Sequence, residues 1–482
     1  MNQHVDVLVV GAGPAGLCVA IEAARGGLRV SLIEASEVVG GTLHVSAGHL
    51  SAAGTRLQAE RGIDDRPDLH LADVMEFGGG RADSTLVALA VDEAPKTIDW
   101  LADQGFPFAD EVPAIYGGHR PYSRPRTYRG RDKGLSILEV LRRQLGELVA
   151  TGRITLHLGT RMSRLLAEDG AVVGVETTAG GGQAPSSIHA AVTVLACGGY
   201  GANPELFAEL TPGSPRLVTN AMPASQGDGL VAAREIGAAV RGGELHTPRL
   251  GLLETIPGRA DMWTAMLDLT PGSRDVCEIW VNADGERFVA EDCTDVTLLE
   301  HAVLRQPGAQ FWVLLDSAGL ARIGSPVRQW DVGRFVAEAT AADGPIHVAD
   351  TMAALAEQVG IDSGGLAQSV SRYNASTRSG CDPYGRAQFG GALDQPPFYA
   401  IRTPATVLCS FGGVVVDAQF RVTTADGACI GGLYAVGEVL GMGATSGAAF
   451  CGGMSLTPAL SFGRLLGRRL ADAASAPALN TI

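Results

Sequence analysis

One segment near the N-terminus limits what this chain can fold into more than any other. Residues 5–35 read VDVLVVGAGPAGLCVAIEAARGGLRVSLIEA. Val5 to Val10 is a short apolar run of the kind that forms a buried parallel strand. Gly11, Gly13 and Gly16 then make G-x-G-x-x-G, and Leu17, Ala20, Ile21 and Ala24 follow at helical spacing. A second apolar strand ends in Glu34. Strand, glycines, helix, strand and terminal acid predict a dinucleotide-binding βαβ unit. Gly11 permits the tight turn, Gly13 lets backbone approach a pyrophosphate, and Gly16 lets helix and strand pack closely. The free N–H groups at the helix start favour phosphate. Glu34 suits ribose hydroxyls and disfavours a 2′-phosphate.

The motif alone does not separate FAD from NAD. Three further segments point to a longer ligand: GGTLHVSAGHLSAAGT (residues 40–55), VTVLACGGYGAN (192–203) and GLYAVGEV (432–439). With the fingerprint they make four backbone-exposing stretches, far apart in sequence, that imply one extended cofactor gripped along its length. The late glycine segments must return to the fold opened at Val5, so the nucleotide domain is discontinuous.

Composition fits a chain with a large core. Of 482 residues 46% are hydrophobic and 18% charged. A net charge of −15 argues against nucleic acid as a partner. Eight cysteines are scattered without zinc, haem or iron–sulfur spacing, so no metal is expected. Dispersed thiols, with no signal peptide or membrane span visible, suggest a cytoplasmic protein.

The chain resembles the flavoprotein subunits of fumarate reductase and succinate dehydrogenase and their 3-ketosteroid dehydrogenase relatives. The likeness rests on GAGPAGL, Gly40-Gly41, DWLADQGFPF (99–108), LACGGYGANPE, GDGLVAAREIGA (227–238), VNADGERFVAED (281–292), FGGVVVD (411–417) and GLYAVGEV. It implies an α/β, Rossmann-like FAD-binding domain formed by both chain ends, residues 1–240 and 396–482, with an inserted α+β capping domain over 241–395. It also implies FAD contacts at Gly11, Gly13, Ala15, Gly16, Glu34, Gly41, Thr42, Gly48, Ala196, Gly199, Gly437, Glu438, Ser455 and Leu456. His44 stands one residue from the position where membrane-bound relatives attach FAD, so FAD is expected to be non-covalent.

Several charged groups of the fumarate reductase pattern are replaced here. The substrate-clamping arginine is matched by Phe450, the proton-donating arginine by Asp295, and a substrate-holding histidine by Cys409. Only His246 falls near a family histidine, and it is a further catalytic candidate. The expected pocket is therefore apolar and without fixed cations, walled by Phe450 and Met454. Desolvating two unpaired carboxylates there costs several kcal/mol each. Backbone N–H groups of Gly452 and Gly453 remain to polarise a neutral carbonyl, each worth roughly 3–4 kcal/mol as charge builds.

The chemistry this implies is hydride transfer to flavin N5 from a CH–CH bond beside a ketone, or the reverse reduction. A carboxylate substrate, held by Arg120, Arg124 or Arg126, is the alternative, and a flavin electron carrier without its own substrate is a second one. Residues 115–134, IYGGHRPYSRPRTYRGRDKG, are the richest source of a base. Tyr122 and Tyr116 are the preferred catalytic candidates, with Tyr128 and Arg120 as pocket candidates. Asp295 is a possible base but fits a helix cap better. Cys409 and Cys451 read as small apolar fillers, and Arg287 as an anchor of the cap loop through Glu291. A small carbonyl compound and an unidentified electron acceptor are the expected partners.

Overall fold

The computed structural model describes residues 4–179, 185–213, 218–269, 274–341 and 344–475. The apolar N-terminal run forms strand β1 (His4–Val10), parallel to β2 (Val30–Ile33) on one side and to Ser186–Leu195 on the other. Ile154–His157 extends the sheet beyond β2, and Cys429–Ala435 joins beside Ser186–Leu195. Strands from both chain ends therefore share one sheet, as the dispersed glycine segments required.

Helix α1 (Pro14–Arg25) lies between β1 and β2 in sequence and packs against the C-terminal helix Leu456–Ser475. The approach is close because the late helix offers glycines at the contact. A Cβ on Gly463 would strike the Ala15 carbonyl oxygen, and one on Gly467 would lie 2.8 Å from the Val19 carbonyl oxygen. Arg464 closes the seam through Glu22, with Nε to Oε1 at 2.8 Å.

A second, antiparallel sheet is inserted. Its order is Ile279–Val281, Gln310–Asp316, Phe398–Pro404, Ile346–Ala349. Alternation along Gln310–Asp316 divides two small cores. Phe311, Val313 and Leu315 join Leu299, Val303 and Phe335 on one face. Trp312 and Leu314 join Leu355, Leu366 and Tyr373 on the other. Because Phe398–Pro404 belongs to this sheet, the insert runs past the boundary expected at residue 395. Arg287 bridges Glu291 and Asp382, and Arg386 also reaches Glu291 at 2.9 Å, a buried ion network inside the cap. All eight cysteines are unpaired. Among the described residues no helix is long and apolar enough to cross a membrane.

Candidate active site

Two clefts, each of about 1000 Å³, meet end to end. Thr42, Met222, Glu438, Ser455 and Leu456 line both, so they form one continuous groove.

The first cleft opens over the start of α1. Gly16 packs there as the fingerprint requires, since a Cβ would collide with the Gly11 carbonyl oxygen. Gly13 differs. It lines the cleft, and a Cβ on it would meet no protein atom within 4 Å. That space is bounded only by the cleft, which is the room a pyrophosphate takes. The amides of Gly13, Ala15 and Gly16 donate to no acceptor among the described residues. Glu34 accepts from the Ala12 amide at 2.8 Å and the Ser36 amide at 2.9 Å. These two bonds fix the carboxylate at the cleft wall and leave its other lone pairs for hydroxyl donors. At the far end Glu438 accepts from the Ser410 amide and hydroxyl, at 2.9 and 3.0 Å.

Of the expected cofactor residues, Gly11, Gly13, Ala15, Glu34, Gly41, Thr42, Ala196, Gly437, Glu438, Ser455 and Leu456 line this cleft. Three do not. Gly16 sits behind it. Gly48 is packed on the Lys133–Gly134 backbone. Gly199 is packed on Ser410 and Glu438, and its neighbour Gly198 lines the cleft instead. His44 also stays outside, facing the Val39 carbonyl oxygen at 3.0 Å. The sequence reading missed the Arg161–Asp228 ion pair, which lines the outer end.

The second cleft has aromatic and sulfur-containing walls. His119 stacks on Phe450 with centroids 5.3 Å apart, and His49 lies 4.2 Å from the Tyr116 ring. Cys409, Met442 and Cys451 complete the apolar lining. Burial, reinforced by Arg129, pushes His49 down to about 4. Burial also holds His119 well below its ordinary value, with Arg249 and His49 acting in the same direction. Both imidazoles are therefore neutral at pH 7.

Gly452 and Gly453 line this cleft, and their amides have no acceptor among the described residues. Gly453 has φ +81, and a Cβ on it would lie 2.5 Å from the Leu50–Ser51 backbone. No other residue type fits there. Tyr122 is not a base in this structure, which corrects the sequence expectation. Its hydroxyl donates to the Gly452 carbonyl oxygen at 2.7 Å, and burial pushes its pKa well above the ordinary tyrosine value. Because the peptide is planar, pinning that carbonyl also fixes the Gly453 N–H.

Four other candidates lie away from the groove. Tyr128 is fully buried and bonds Thr55 Oγ1 at 2.6 Å. His246 packs edge-on against Phe207 and Phe411, and burial lowers it to about 4. Arg120 pairs with Glu76 over the Phe77 ring. Asp295 caps the helix Val296–Leu304, accepting from the Thr297 and Leu298 amides. The remaining arginines of the loop are also committed elsewhere. Arg126 is buried against Asp65 and Asp73, and Arg124 turns to the Ser123 carbonyl.

The cation that does line the second cleft is Arg249, which the sequence reading missed. It is 9% exposed, and its guanidinium makes one hydrogen bond among the described residues, to the Gly118 carbonyl oxygen at 3.3 Å. The expectation of a pocket without fixed cations is therefore wrong. Arg249 arrives because its backbone pairs with Thr406, N–H to O at 2.7 Å and in return at 3.1 Å. That bridge joins segments far apart in sequence.

The model of the FAD binding domain matches residues 6–456. The chain belongs to that family. A fumarate reductase (cytochrome) from Shewanella frigidimarina is 30% identical over 98% of this chain and 77% of its own length. A 3-oxosteroid 1-dehydrogenase from Mycobacterium tuberculosis is 26% identical, over 98% and 99%. In fold, the chain superimposes on a 3-ketosteroid Δ1-dehydrogenase from Sterolibacterium denitrificans with a TM-score of 0.78, 21% identity, and coverage of 98% and 100%. This flavoprotein is an FAD-dependent oxidoreductase of the family that acts on CH–CH bonds.

Proposed function

We propose that this flavoprotein interconverts a CH–CH bond and a C=C bond conjugated with a single carbonyl or carboxylate group. The observation that carries the reading is Arg249, a buried guanidinium with no carboxylate partner among the described residues, facing a largely apolar, aromatic cleft. One cation of this kind matches one oxyanion or one polarised carbonyl. A diacid would leave its second carboxylate desolvated without a partner, at a cost of several kcal/mol.

FAD would be held by the α1 amides and Glu34 at one end and by Glu438, Ser455 and Leu456 at the junction. When bound it supplies the two-electron chemistry, taking or giving the hydride of the CH–CH bond. The rest falls to the chain's own residues. Arg249 and the amides of Gly452 and Gly453 would receive the charge that builds on the substrate oxygen. Tyr122 would keep the Gly452–Gly453 peptide in place for that role. Tyr116, whose ring lines the cleft beside His49, is the residue proposed to exchange the α-carbon proton. Phe450, His119 and Met442 would exclude water and favour a flat, apolar substrate body.

The test is anaerobic reoxidation of the reduced holoprotein by three probes. These are cinnamate (one carboxylate), 4-phenylbut-3-en-2-one (a neutral enone) and fumarate. The reading expects the first two to oxidise the flavin faster than fumarate. Fumarate as the fastest of the three would overturn it. An inert flavin with all three would favour an electron carrier.

A further inference from the structure

One acid that the catalytic reading does not use lies on the helix whose His301 faces Thr247, two residues before Arg249. Glu300 sits in the helix Val296–Leu304, is 0% exposed, and neither carboxylate oxygen has a hydrogen-bond partner. An ionised carboxylate in that state is strongly disfavoured, so the group carries a proton. The charged groups that act on it are few. Arg249 favours its ionised form, and Asp295, turned toward the helix N-terminus, opposes it. Its neighbour His301 has a lowered pKa and faces Thr247 Oγ1 at 3.3 Å. Burial dominates and moves Glu300 up to about 8.

We propose that Glu300 is a positioning residue that sets the charge available from Arg249: protonated, it leaves the guanidinium uncompensated for a substrate carboxylate, and ionised, it neutralises the site and releases the anion. The proposal rests on the reading of Arg249 as the substrate anchor. It goes further by assigning the cleft a net charge that depends on a buried acid outside it.

The histidines and cysteines around the cleft do not mimic this behaviour. His49, His119, His246 and His301 all have lowered pKa values and are already neutral above pH 7. Cys409 and Cys451 are raised by burial, Cys451 to about 12. Burial also raises Glu438, which lines the cleft together with Tyr116, so it is the loss of the pH response in Glu300→Gln that assigns the response to Glu300.

The experiment titrates oxidised holoprotein, which does not reduce the probe, with cinnamate and with the neutral cinnamamide. Binding is read from the flavin spectrum between pH 6.5 and 9.5. Cinnamate Kd should be level below pH 8 and rise about tenfold or more by pH 9.5, the effect expected of a charge pair lost in a buried site. Cinnamamide Kd should stay level throughout. In Glu300→Gln, cinnamate should bind at every pH as it binds wild type at pH 7, a result that also shows the variant folded. A level cinnamate profile in the wild type, or an unchanged rise in Glu300→Gln, overturns the role of Glu300 while leaving Arg249 intact. Binding of cinnamamide without cinnamate at pH 7 overturns the Arg249 reading itself, and this proposal with it.

Discussion

Replacing Arg249 by glutamine removes the guanidinium that lines the second cleft and keeps a side chain of similar reach. Arg249 is nearly buried and has one weak hydrogen bond, to the Gly118 carbonyl oxygen. Most of its donors are therefore free for a ligand. Losing one partner of a buried, hydrogen-bonded charge pair costs about 2–5 kcal/mol, or about 30-fold to a few thousand-fold in kcat/KM. A neutral carbonyl loses only an ordinary hydrogen bond, about 0.5–1.5 kcal/mol, or roughly 2–13-fold. The variant should thus shift preference from cinnamate toward 4-phenylbut-3-en-2-one by at least about twofold and by up to about a thousandfold. The protein itself should not be destabilised, because no ion pair within the chain is broken. Anaerobic stopped-flow reoxidation gives both rate constants, and a thermal melt gives the control. A variant that keeps wild-type kcat/KM on cinnamate, or loses both substrates equally with an unchanged Tm, would refute the reasoning.

Other predictions follow from the same geometry. Gly13→Leu should abolish FAD retention with little change in the melt of the apoprotein, because its side chain enters the cleft, not the core. Spectral titration with FAD reads this. Tyr122→Phe leaves the Gly452 carbonyl unpinned and should lower kcat by about 10- to 100-fold while exchange of the substrate α-proton with solvent persists. Tyr116→Phe should abolish that exchange. On acidification, His246 is protonated in the unfolded chain below 6.5 but resists protonation in the fold until about 4. Its contribution, about 3 kcal/mol, is therefore present above pH 6.5 and lost as pH falls through 4, which denaturant melts across that range would detect. Glu300 acts in the opposite sense. Its raised pKa of about 8 gives stability that is present below 4.5 and lost as pH rises through 8, so Glu300→Gln should flatten the fall in stability between those two pH values.

The cofactor cleft was legible in the sequence because each element of the fingerprint does a local steric job. Gly16 meets its own turn, Gly13 faces open space, and Glu34 ends the next strand, all within one short stretch. The return of the C-terminal segment was also legible, since Gly437 and Leu456 had no other site to line. The substrate cleft was not. The loop 115–134 is rich in arginine and tyrosine, but the acids that pair Arg120 and Arg126 lie upstream at Glu76, Asp65 and Asp73. Nothing in the loop itself reveals that pairing. Arg249 stands in a plain stretch, HTPRL, and becomes a cleft residue only through its backbone bridge to Thr406. No motif marks Glu300, and its burial depends on the inserted sheet packing over its helix. Long-range pairing set these positions, and one-dimensional spacing does not encode it.

The most direct test of the account is a competition. Reduced holoprotein is mixed anaerobically with equal concentrations of cinnamate and fumarate, and both reduced acids are quantified after one turnover. The ratio of products equals the ratio of the two kcat/KM values. A cleft with one buried cation and aromatic walls predicts 3-phenylpropanoate in large excess over succinate. Succinate as the main product would contradict it.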